Sequence, residues 1–190
     1  MKKRCFTSIL GAALLLLACA GKTSADSQTV TEQVPGDMAT HKEVVYQDTL
    51  VRDFHFMWRI DDAGLLHVKI MTSTTGWVAV GFAPTSVMKD ANLIIGYVKA
   101  DTAYLSDEFG VALTAHSPDA KLGGTDDIKE KSGMESEGLT EIHFAIPLNS
   151  GDKFDKVLEK GKACKIIMAA GSEDNFATKH ARVASMMLTL

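Results

Sequence analysis

Short stretches in which apolar and polar residues alternate recur along most of this chain, and no stretch after position 43 sustains a helical period. Phe54, Phe56, Trp58 and Ile60 alternate with His55, Met57 and Arg59, which predicts a strand with one face in a core and the other turned outward. Asp61, Asp62, Ala63 and Gly64 follow as a turn. Leu66, Val68 and Ile70 then alternate with His67 and Lys69, so the pair reads as a hairpin. His67, and His143 in a later strand, fall on the outward faces. Residues 77–82 are apolar at almost every position, which predicts a strand covered on both sides. Runs at 91–98, 103–109, 142–146, 165–170 and 186–190 complete the series. One helical turn is expected at 154–158, where Phe154, Val157 and Leu158 fall at i, i+3 and i+4. About eight to ten short strands at this spacing predict an all-β fold, an antiparallel β-sandwich of two packed sheets. Trp58 and Trp77 are expected in its core.

The N-terminus follows a different pattern. Lys2, Lys3 and Arg4 precede an apolar run at 9–18 broken only by Gly11, the order of parts in a secretory signal. The run is too short to span about 30 Å of hydrocarbon, which takes roughly 20 helical residues. Its end, Leu16-Leu17-Ala18-Cys19, resembles a bacterial lipobox, which implies that Cys19 is lipidated and becomes the mature N-terminus. The alternative is ordinary cleavage after Ala20, with Cys19 discarded. Behind it lies a stretch rich in Ser, Thr, Gln, Asp and Gly, which reads as a flexible tether. The expected organisation is a signal peptide at 1–18, a lipidated cysteine and tether at 19–42, and one folded domain at 43–190. Such a protein is exported and held by lipid at the periplasmic face of the cell envelope, and Ala20 after Cys19 favours the outer membrane in a Gram-negative host.

Composition narrows the chemistry. Hydrophobic residues at 46% and charged residues at 23% are ordinary globular usage, enough to fold one core. A net charge of −4, with no Lys/Arg cluster after position 4, excludes nucleic acid as a partner. Cys5 lies within the signal, so Cys164 has no intramolecular partner in the domain and reads as a small buried core residue. The sequence contains no Gly-rich phosphate loop, no nucleophile elbow, no Cys-x-x-Cys and no His-Glu-x-x-His. An enzyme is not expected.

Two polar loops remain, 84–90 with Met88 and 173–180 with His180. The segment Thr75-Gly76-Trp77-Val78-Ala79-Val80-Gly81-Phe82 is followed by Met88-Lys89-Asp90-Ala91-Asn92-Leu93-Ile94-Ile95-Gly96-Tyr97. In this order and spacing the two resemble the central motif of DOMON domains. The resemblance extends through Gly123-Gly124-Thr125-Asp126-Asp127, Phe144-Ala145-Ile146-Pro147-Leu148 and Lys179-His180-Ala181-Arg182, about the whole of 43–190. It implies an immunoglobulin-like sandwich. In the haem-binding branch, which includes the cytochrome domain of cellobiose dehydrogenase, an axial methionine follows the Gly-Trp strand and an axial histidine comes near the domain's end. Met88 and His180 match those positions. DOMON domains of copper monooxygenases lack the pair, so the resemblance implies non-covalent haem b, there being no Cys-x-x-Cys-His attachment motif.

On this reading Trp77, Phe82 and Phe176 wall the haem, and Arg182 and Lys179 face its propionates or are simply solvated. His116 is the substitute ligand, and Asp126 and Asp127 are turn residues. The implied function is electron transfer with a redox partner protein that the sequence does not name. The rival is a haem-free DOMON module that binds a sugar or other small molecule, and a third reading is a structural interaction domain of the envelope.

Overall fold

The structure is a computed structural model, and it describes residues 44–190. The expected signal, Cys19, the tether and residue 43 lie outside the described residues. Eleven strands and one short helix follow in the order β1 (Gln47–Val51), β2 (Phe54–Ile60), β3 (Leu65–Thr72), β4 (Val78–Phe82), β5 (Asn92–Lys99), β6 (Thr102–Ala112), β7 (Ala115–Pro118), α1 (Asp119–Leu122), β8 (Glu130–Ser136), β9 (Leu139–Pro147), β10 (Ala163–Ala170) and β11 (Arg182–Thr189). They build two sheets, ordered β1-β2-β3-β9-β8 and β11-β10-β4-β5-β6-β7, and every pairing is antiparallel. This is the β-sandwich that the alternation predicts.

The period of two assigns the faces. Phe54, Phe56 and Trp58 of β2, Leu66, Val68 and Ile70 of β3, and Ile142, Phe144 and Ile146 of β9 pack against Val78, Val80 and Phe82 of β4, Ile94 of β5, and Ile166 and Met168 of β10. These residues form the main core between the sheets. The intervening residues of β4, β5 and β10 form the outer face of the six-stranded sheet, where Trp77, Ala79 and Ile95 make a second, smaller buried cluster with Tyr97, Ala169 and Phe176 packed on it. All five residues of β4 are consequently buried, as its unbroken apolar run predicts. Cys164 is a buried free thiol, and burial pushes its pKa up.

Three expectations need correction. β1 and β8 escape the alternation because they are sheet edges with mostly exposed side chains. Residues 154–158 are not helical: Gly151 takes a φ of 84°, and the Asp152 carboxylate accepts the Phe154 N–H at 2.8 Å, which fixes a turn instead. His67 points to the outward side of β3 but is only 4% exposed, because Asp61 (2.8 Å) and Glu130 (3.4 Å) close over its ring. His143 is half-buried beside Glu141.

Candidate functional site

A cleft of about 1080 Å³ lies on the outer face of the six-stranded sheet. Its floor follows from the pairing register. Ala79 lies opposite Ile95 and Ala169, and Gly81 lies opposite Leu93 and Ile167, so small residues alternate with larger ones and leave a shallow apolar bed. Two loops rise over this bed.

The first loop joins β4 to β5 and carries Met88, which is half-buried. It is a tight reversal: the Lys89 N–H donates to Ser86 O at 2.8 Å, and the Thr85 hydroxyl donates to the Asp90 carboxylate at 2.6 Å. Val87, at a φ of 50°, holds a left-handed conformation that a β-branched residue rarely adopts. β6 and the turn after it seat the loop, since the Asp90 N–H donates to Gly110 O of β6 at 2.7 Å and the Met88 N–H donates to Leu113 O, just past the strand, at 3.4 Å. Gly110 lies so close under the Met88 carbonyl that a Cβ there would collide with backbone.

The second loop, 171–181, joins β10 to β11 and carries Phe176, Lys179 and His180. Trp77 pins it: the indole N–H donates to Thr178 Oγ1 at 3.0 Å, the Trp77 backbone N–H donates to Glu173 O at 3.3 Å, and the Gly171 N–H donates to Trp77 O at 2.9 Å. Neither Gly76 nor Gly171 has room for a Cβ against the opposing segment. Phe176 packs on Tyr97 with ring centroids 4.9 Å apart. His180 is exposed and, among the described residues, its ring makes no hydrogen bond or ion pair.

Met88, His180, Trp77, Phe176, Lys179 and His116 thus all line one cleft. His116 is held by the buried Glu108 carboxylate. Two expected residues fall elsewhere. Phe82 is five positions from Trp77, and an odd separation in a strand means opposite faces, so Phe82 is fully buried in the main core. Arg182 donates to the Asp53 carboxylate at 2.7 Å and to Ser73 O, and it borders a separate depression. The cations at the cleft are instead Arg52, Lys165 and Lys179. Arg52 and Lys165 were missed as site residues, although the alternation of β10 puts Lys165 on the face of Ile167. The small residues Ala79 and Gly81, alternating with Val78, Val80 and Phe82, are the mark of the floor in the sequence.

Residues 51–171 match the family model described as DOMON domain. Among curated proteins, the chain is 29% identical over 106 residues to human DBH-like monooxygenase protein 1, a match covering 56% of this chain and 16% of that protein. The chain therefore corresponds to a small part of that relative's length. Among solved structures, the cytochrome b domain of pyranose dehydrogenase from Coprinopsis cinerea is similar, with a TM-score of 0.50 and 10% identity over 71% of this chain and 75% of that one. The cytochrome domain of Myriococcum thermophilum cellobiose dehydrogenase is similar with a TM-score of 0.51 and 13% identity, over 72% and 74%. At such identities these two share the fold.

Proposed function

This chain belongs to the DOMON domain family, and from that premise we propose that it is a non-catalytic electron-transfer module that binds haem b, with Met88 and His180 as axial ligands. The observation that carries the reading is their convergence: a thioether and an unpaired imidazole, brought by separate loops, line one apolar cleft. A cleft of about 1080 Å³ is ample for a large flat cofactor, and the donor set suits haem iron. Bound haem would supply one-electron exchange, and Met/His ligation tends to raise its potential. The protein's own residues do the rest. Met88 would offer its thioether and His180 its imidazole to hold the iron. Trp77 and Phe176 would wall the ring, and Arg52, Lys165 and Lys179 would offer cations to its carboxylates.

An absorption spectrum of protein purified with haem available tests this. A low-spin Soret band is expected. Imidazole is the stronger donor, so His180→Ala should lose most haem, whereas Met88→Ala should keep some in a spectrally altered form. Met88→His should stay low-spin with a lowered potential. No Soret shift with excess haem, or a parent spectrum in both alanine variants, would overturn the assignment in favour of a sugar or small-molecule site.

The cell-envelope setting is part of the same proposal: a signal peptide, a lipid on Cys19 and a tether would hold the domain beside its redox partner. Cys19→Ser should move the protein from the membrane fraction to the soluble one. A mature chain beginning at Gly21 by intact mass would exclude the lipid.

A further inference from the structure

Beside β6, and outside the lining of the cleft, three carboxylates converge. Asp107 of β6, Asp127 of the segment between α1 and β8, and Asp155 of the turn between β9 and β10 each place an oxygen within 4.8 Å of the others. Asp107 lies opposite Ile94 in the register, so its side chain points toward the sheet-to-sheet side of β6, and it is 4% exposed. One of its oxygens accepts the Asp127 N–H at 2.8 Å, while the other is buried and has no partner among the described residues. Beside the cluster, Asp119 is 1% exposed and, among the described residues, neither of its oxygens has a partner. Asn92 donates its amide N–H to Asp155 at 2.6 Å and leaves its own buried Oδ1 unpartnered. Among the described residues a single cation, Lys129, reaches these three carboxylates, 3.3 Å from Asp127. Burial, reinforced by Asp155 and the neighbouring carboxylates, pushes Asp107 up to about 8 and Asp119 up to about 7.

Buried carboxylates without partners are costly, and a fold retains them when something of opposite charge completes the site. We propose that Asp107, Asp127 and Asp155 bind a divalent cation, calcium in preference to magnesium, and that the ion ties the 123–128 loop and the 152–155 turn to β6. The donors are hard oxygens on two loops and a strand, with unpartnered oxygens of Asp119 and Asn92 nearby, and calcium accepts such numerous, irregular oxygen sets where magnesium demands a strict octahedron. The loop that reads from sequence as a plain turn is then a ligand loop. None of the three carboxylates lines the cleft. Strand β6 is shared, however, because Glu108 and Gly110 seat His116 and the Met88 loop.

Full-length protein stripped with EGTA and titrated with calcium chloride tests the site. Calorimetry should show one calcium per chain, and the melting temperature should rise by about 5–10 °C at a hundredfold excess over the dissociation constant. Asp155→Asn and Asp127→Asn should each abolish heat and shift while leaving the far-ultraviolet β signature in place. If either variant fails to fold, the calorimetric stoichiometry of the parent and the other variant decide. Wild-type protein that shows neither heat nor shift with millimolar calcium or magnesium holds protons there instead, and the proposal fails. It fails equally if Asp155→Asn and Asp127→Asn respond as the parent does.

Discussion

Gly110 shows how much of the cleft depends on the absence of one methyl group. It lies against the Met88 carbonyl with no space for a Cβ, and the atom in the way is backbone, which cannot swing aside. Gly110→Ala should therefore push the Met88 loop off β6 and lower stability by about 1–3 kcal/mol, as overpacking does. The Met88 methyl resonance should move with it; an unchanged chemical shift and melting temperature would mean the loop has slack. Trp77 acts oppositely, by filling space. Because it is 4% exposed and clamps the 171–181 loop through Thr178, Trp77→Ala should cost about 3–5 kcal/mol. Trp77→Phe should keep most of the packing and lose about 1 kcal/mol for the hydrogen bond. Hydrogen exchange in 171–181 should rise in both variants; protection equal to the parent's would show that the loop is held elsewhere.

Among the elements, the β2–β3 hairpin carries a pH-dependent contribution. Asp61 accepts the Leu65 N–H at 2.9 Å and the Ala63 N–H at 3.0 Å and pairs with His67. The His67 hydrogen bond, then the Leu65 N–H, hold its carboxyl below the usual range. A depressed folded pKa means that the contribution is present above the unfolded value of about 4 and is lost as pH falls through the folded value. The melting difference between parent and Asp61→Asn should accordingly be largest near neutrality and shrink on acidification below about pH 4, and a constant difference would refute this. The same hairpin was legible from alternation because one face is core and the other is wet. β8 was not legible, since a polar edge strand has no apolar face to alternate. Phe82 was misplaced because the unbroken apolar run of β4 hides which residues share a side; only the size pattern, with Ala79 and Gly81 on one face, separates them. The two ligand candidates were legible through family resemblance, whereas Arg52 entered the cleft by tertiary contact that no local pattern encodes.

For the whole molecule, the large aromatics of the sheet-to-sheet core should dominate stability. Phe56, fully buried beside Trp58 with centroids 5.7 Å apart, should lose about 3–5 kcal/mol on replacement by alanine. Whatever occupies the cleft contributes separately, because the cleft lies on the outer face of the six-stranded sheet, outside that core. This separation has a kinetic consequence. The sheets can close before any cofactor or small molecule arrives, so the folding transition state has nothing to gain from it. A bound occupant should leave the refolding rate unchanged and slow only unfolding, roughly in proportion to the fraction bound. In a denaturant series the refolding limbs with and without ligand should superimpose while the unfolding limbs diverge; acceleration of refolding would place the occupant inside the nucleus. An apolar bed left bare on a finished fold is also an adhesive patch, so the empty protein should load its occupant as a folded acceptor rather than as a folding intermediate.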